Sequence, residues 1–154
     1  MLRIISGGQT GVDRGALDAA IALGIPYGGW CPRGRLAEDG QIPKRYRLTE
    51  TDSPAYRVRT KQNVLDSDAT LVLCRGRPRG GTELTIRLAE RYERPHRIVD
   101  LNRPVSPREI SDWLKSERVR ILNIAGPRES QCPGIAVQTQ EFLGAVFAGL
   151  SEQT

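Results

Sequence analysis

Three glycine-containing segments hold the residues with the clearest chemical potential. They are Gly7-Gly8-Gln9-Thr10-Gly11-Val12-Asp13, the stretch ending in Arg79-Gly80-Gly81-Thr82, and Gly126-Pro127-Arg128-Glu129-Ser130. Glycine lets backbone amides approach an anion closely, and a helix starting just afterwards adds a favourable dipole. The hydroxyls of Thr10 and Thr82 can donate to the same anion. Arg33, Arg35, Arg79 and Arg128 can clamp remaining charge or stack on a flat ring. Asp13 and Glu129 can accept from the edge of a pterin or purine. Any one glycine group also makes a plain tight turn, and any one arginine also makes a solvated surface charge. Two such loops in one chain favour phosphate binding.

The familiar nucleotide motifs are absent. Gly7-Gly8-x-x-Gly11 lacks the spacing of the dinucleotide fingerprint, no acidic residue ends the second strand, and no lysine follows a glycine loop in the Walker arrangement. The only histidine, His96, falls just before the fourth strand, at the sheet end away from these loops, which argues against serine–histidine catalysis. Cys31, Cys74 and Cys132 form no Cys-x-x-Cys pair, so a structural zinc site lacks ligands. They read as reduced thiols of a cytoplasmic protein.

The loops need elements to hold them. Residues 2–6 read as a buried strand, followed by a helix with Leu17, Ala20, Ile21 and Gly24 on one face. Tyr27 to Cys31 reads as a second strand, and 32–54 as a long ordered loop of the kind that is often functional. A helix over 56–67, a strand over 69–74, a helix reaching Tyr92 and a strand over 97–100 come next. Ser106-Pro107-Arg108-Glu109 suits a capped helix start, with Ile110, Trp113 and Leu114 as its buried stripe. A fifth strand over 120–125 leads to a last helix burying Phe142, Ala145, Val146, Gly149 and Leu150. This alternation predicts an α/β fold, an open and mostly parallel five-stranded sheet with helices on both faces. Ligands of such sheets bind beyond the strands' carboxyl ends. For the two glycine loops to share one anion, the strand order is expected to be 2-1-3-4-5, with 7–11 beside 80–82 at one edge.

A length of 154 residues fits a single domain spanning 1–154. Hydrophobic residues make up 38% and charged residues 27%, and no apolar run is long enough for a membrane span. The N-terminal apolar run, with its one arginine, is too short for a signal peptide. The net charge of +5 comes from twenty arginines against three lysines. That bias suits phosphate or carboxylate recognition, and genome composition produces it equally well.

Five motifs in order carry a resemblance. They are Gly7–Asp13; Pro32-Arg33-Gly34-Arg35 with Glu38-Asp39-Gly40; Arg59-Thr60-x-x-Asn63-Val64-x-Asp66-Ser67-Asp68; Gly81-Thr82-x-Leu84-Thr85; and Leu122-Asn123-x-Ala125-Gly126-Pro127-Arg128-Glu129-Ser130. Together they resemble the molybdenum-cofactor carrier family over about residues 4 to 145. The resemblance implies a Rossmann-like domain and, as ligand, a small anionic pterin or nucleotide-like molecule, foremost molybdenum cofactor (molybdopterin). Within the broader superfamily are phosphoribohydrolases that release cytokinin bases, and the DNA-uptake protein group.

Three functions compete. A carrier would hold a phosphate-bearing heterocycle without turning it over, and a nucleotide sensor would do the same. A phosphoribohydrolase would cleave an N-glycosidic bond in a nucleoside monophosphate. The cleaving relatives resemble one another in a glutamate three residues after the threonine of the glycine turn. Here that position is Thr85, and the glutamate is Glu83, roughly 200° away around a helix. Nucleic-acid binding ranks last, because aromatics are only 5% and none interleaves with the arginines. Small residues in the last helix, with Phe147, suggest a homo-oligomer, a dimer or tetramer.

Overall fold

Ala69-Thr70-Leu71-Val72-Leu73-Cys74 is buried at every position, as expected of a parallel strand covered on both faces. In the computed structural model, which describes residues 1–151, this strand (β7) belongs to a five-stranded parallel sheet. Its partners are β1 (Arg3–Ile5), β2 (Tyr27–Gly28), β8 (His96–Asp100) and β9 (Ile121–Ala125). All four strand pairings are parallel, among them Ile4 with Tyr27, Ile4 with Leu122, Leu71 with Ile124 and Val72 with Ile98.

The order is β2-β1-β9-β7-β8, so the chain's last strand sits in the middle. Counting only these five strands, the order is 2-1-5-3-4 rather than the expected 2-1-3-4-5. The two glycine loops therefore do not meet at an edge; β9 separates their strands and brings its own loop between them. Two features seat it there. Gly126 lies so close to Leu73 O and Val12 that an added Cβ would stand 2.1 Å from the carbonyl oxygen. Asp68 Oδ2 accepts the N–H groups of Arg120 and Ile121 at 2.9 and 2.8 Å, fixing where β9 begins.

Five helices are among the described residues: α1 (Val12–Leu23), α2 (Tyr56–Leu65), α3 (Gly80–Arg91), α4 (Pro107–Ser116) and α5 (Ile135–Ser151). Right-handed crossovers assign the faces. The β1–α1–β2 and β8–α4–β9 connections run one way across the sheet, while β2–α2–β7 and β7–α3–β8 run the other. Accordingly α5 packs against α1 and α4 on one side, and α2 packs against α3 on the other. Crossovers diverge around β9, which makes its carboxyl end the topological switch point.

Several local expectations change. Gly29, at φ 127°, breaks the second strand, so Trp30–Cys31 (β3) leaves the main sheet and pairs with Thr49–Glu50 (β6). The segment 32–54 is an ordered layer, with a small hairpin of Leu36–Ala37 (β4) and Gly40–Gln41 (β5) over a second core of Leu17, Cys31, Ala37, Ile42 and Tyr46. Ile21 and Ala145 are exposed. Ser106 precedes α4 without a side-chain capping bond. In α5 the buried residues include Ile135, Thr139, Leu143, Val146 and Phe147. Phe147 is therefore spent within this chain and offers no apolar surface to a second copy.

Glycines at the packing seams should respond oppositely to substitution. Gly126→Ala, which drives a methyl into backbone, should cost at least about 1–3 kcal/mol. Gly144→Ala meets nothing within 4 Å and should stabilise α5 by about 0.5–1 kcal/mol. Urea unfolding of both variants measures the two signs.

Candidate functional site

A cleft lies over the carboxyl ends of β1 and β9, beside the start of α3. Gly7, Gln9 and Asp13 form one wall, Gly81, Thr82 and Thr85 of α3 another, and residues 123–128 run between them. Tyr56, Arg59 and Asn63 of α2 close the third side. Loops after the first, third and fifth sheet strands do converge, at mid-sheet.

The α3 end of the cleft suits an anion. The first intrahelical bonds are those of Thr82 and Glu83 N–H to Arg79 O, and no side chain caps the helix. Such a helix start points unsatisfied N–H groups and a positive dipole outward. At Gly81 a Cβ would meet nothing within 4 Å, so the space in front of it is open. Arg128 borders the same cleft, and its guanidinium stacks 5.5 Å from the Tyr56 ring centroid. Arg59 approaches that ring at 5.3 Å.

The first glycine loop is built differently from the phosphate cradle its sequence suggested. Its amides are consumed internally: Gly8 N–H donates to Ser6 Oγ, Gln9 N–H to Asp13 Oδ2 at 3.1 Å, and Thr10 N–H to Gln9 Oε1 at 3.1 Å. Gly11, at φ 79°, lies against the backbone of 127–129, where a Cβ would stand 2.4 Å from Pro127 O. Val12 N–H donates to that same carbonyl. The loop serves to present side chains, Gln9 and Asp13 above all.

Asp13 is 7% exposed, and burial pushes its carboxyl up to about 6 despite the Arg59 guanidinium 4.0 Å away. Gln9 is 5% exposed. Its Oε1 accepts from two backbone amides, Thr10 and Glu38, which fixes the oxygen and forces Nε2 to the other side. That NH₂ group is buried without a partner, as is Arg59 Nε. Each orphaned donor costs about 1–3 kcal/mol until something accepts from it. Both of these donors belong to residues that line the one cleft.

Other expected contacts have structural partners instead. Glu129 accepts from Gly134 and Ala136 N–H at 2.6 and 3.0 Å, capping the start of α5, so it is not free to read a ring edge. Arg35 points away from the cleft and donates to the carbonyls of Ile42, Pro43 and Tyr46, closing the 32–54 layer on itself. Arg33 is exposed outside the cleft. Gly80 and Arg79 are exposed, and Arg79 lines a neighbouring hollow with Arg77, Cys74 and Cys132. Thr10 and Ser130 both donate their hydroxyls to Glu38, at 2.6 and 2.5 Å, which holds that carboxyl below the usual range. Cys31 is fully buried under the 32–54 layer. Glu83 turns outward to pair with Arg87, while Thr85 borders the cleft.

A family model, the circularly permutated YpsA SLOG family, matches residues 4–147. The chain belongs to that family. Its fold is similar, at a TM-score of 0.90 and 46% identity, to the crystal structure of a "putative molybdenum carrier protein" from Syntrophus aciditrophicus SB, covering 95% of this chain and 94% of that one. No curated protein matches. The family motif around Arg59 and Asn63 was visible in the sequence, yet neither was singled out as a site residue. Their spacing of four places both on one helical face, which was the available signal. Asn63 is engaged twice with the Trp30 backbone and so positions β3; Arg59 faces the cleft.

A carboxyl whose pKa rises on folding binds more protons in the native than in the unfolded state between pH 4 and 6. It therefore stabilises the fold as pH falls through that window and weakens it as pH rises. Relative to Asp13→Asn, the wild type should lose about 2–3 kcal/mol between pH 4 and 7. Chemical denaturation of both proteins across that range measures the difference.

Proposed function

We propose that the protein binds and carries a small phosphate-bearing heterocycle, with molybdenum cofactor the foremost candidate. The observation that carries this reading is the pairing of an uncapped, open helix start at Gly81–Thr82 with a desolvated polar wall at Gln9 and Asp13. The helix start receives the phosphate, and Thr82 and Arg128 flank it. The flat ring lies toward Asp13 and Gln9, with Tyr56 and its two guanidinium neighbours beside it. The similarity to a protein described as a molybdenum carrier supports the choice of cargo.

The donor set fits the organic part of that cargo. It does not fit direct ligation of a metal: no group of three His, Cys, Asp or Glu suited to a metal occurs among the described residues. When bound, the cargo's own dithiolene supplies the metal's ligands. The chain's residues hold phosphate and ring, and the arginines balance charge.

A second reading, hydrolysis of a nucleoside monophosphate, is favoured by Asp13, because a buried carboxyl raised to about 6 is poised for proton transfer. Against it stands the outward course of Glu83. Turnover assays separate the two: the carrier releases no free base, whereas a hydrolase loses base release in Asp13→Asn.

Gly81→Val should fold normally, since a Cβ there meets no protein atom within 4 Å, and should abolish binding of the cofactor. Arg128→Ala should weaken binding by about 1.5–3 kcal/mol. Glu83→Gln should leave affinity unchanged. Cofactor retention on the purified variants, read by molybdenum content and pterin fluorescence, checks all three.

A further inference from the structure

We infer that Gln9 and Asp13 select the ring of the ligand, accepting the lactam–amidine edge shared by pterin and guanine and rejecting adenine. This rests on the proposed carrier reading and adds the identity of the heterocycle. Burial and fixed hydrogen bonds point to these two residues. Among the polar side chains bordering the cleft, Asn63 is spent on Trp30, Thr85 Oγ1 donates to Gly81 O, and Asn123 Nδ2 donates to Thr70. Gln9 Nε2 is a donor whose direction cannot reverse, because flipping the amide would set NH₂ against the N–H groups of Thr10 and Glu38. Asp13 is held next to it, with its Oδ2 accepting Gln9 N–H and the Arg59 guanidinium 4.0 Å away.

The wall therefore offers one fixed donor and one carboxylate acceptor. A lactam–amidine ring presents the complement: a carbonyl oxygen for the amide, and a ring N–H with an adjacent amino group for the carboxylate. Adenine presents the reverse, an amino group and an unprotonated ring nitrogen. Donor then faces donor and acceptor faces acceptor. Sites built around buried hydrogen-bonding groups discriminate strongly, because the wrong ligand leaves those groups unpaired. The same match relieves the orphaned Gln9 amide.

The test is calorimetric titration of the whole protein with four phosphates: 6-hydroxymethylpterin phosphate, GMP, IMP and AMP. The pterin phosphate and GMP should bind at least tenfold tighter than AMP. IMP, which keeps the carbonyl and ring N–H but lacks the amino group, should fall between. Asp13→Asn should weaken GMP at least tenfold without weakening AMP; Gln9→Glu, which keeps the oxygen that accepts from the backbone and turns the donor into an acceptor, should do likewise. If a variant proves unfolded by its melting curve, the four wild-type affinities decide alone. Equal affinity for GMP and AMP overturns the inference while leaving the carrier reading intact. Binding of none of the four, with inorganic phosphate also unbound, overturns both.

Discussion

The buried contact between Asp13 and Arg59 sets the conditions for everything around the cleft. The two charges lie 4.0 Å apart, each largely withdrawn from water. The pair is too open to compensate the carboxylate's desolvation, so Asp13 recruits the Gln9 N–H. That bond bends the first glycine loop back over the start of α1, which uses up the loop's amides. Gly7 must then be glycine, because the Arg59 side chain crosses directly above its Cα. A loop whose spelling suggests an anion cradle becomes a bracket for a carboxylate.

A second set of charges holds the layer formed by 32–54. Glu38 takes hydroxyls from Thr10 and Ser130 and the Ser130 N–H, joining three segments far apart in sequence. Arg14 grips Asp39 through two bonds. These tethers explain why so many polar residues crowd one motif-rich region without lining the cleft. They fix the 32–54 layer, and that layer in turn supplies the Glu38 N–H that pins Gln9.

The fold class was legible because periodicity and burial agree: 69–74 is apolar on both faces and is a strand over those same residues. The strand order was not, because nothing in Ile121-Leu122-Asn123-Ile124-Ala125 states that it sits centrally; that depends on Gly126 and Asp68 meeting distant backbone. In the site, loop convergence was readable from glycine and helix starts. The roles of Arg35 and Glu129 were not, since both spend their charge on backbone groups whose proximity arises only on folding. Arg59 hid among twenty arginines, on a helix with a weakly apolar face.

The central position of β9 also governs how the molecule can assemble. Without residues 121–125 the sheet would be left as two two-stranded pieces, β1 with β2 and β7 with β8, each with an unpaired edge facing the gap. Closure pairs Arg3 with Ile121, contacts separated by most of the chain, so loop entropy must be overcome before the sheet gains its middle. The cleft, lined in part by residues 123–128, depends on that long-range closure. A chain cut short before its last strand would have open sheet edges and no complete cleft.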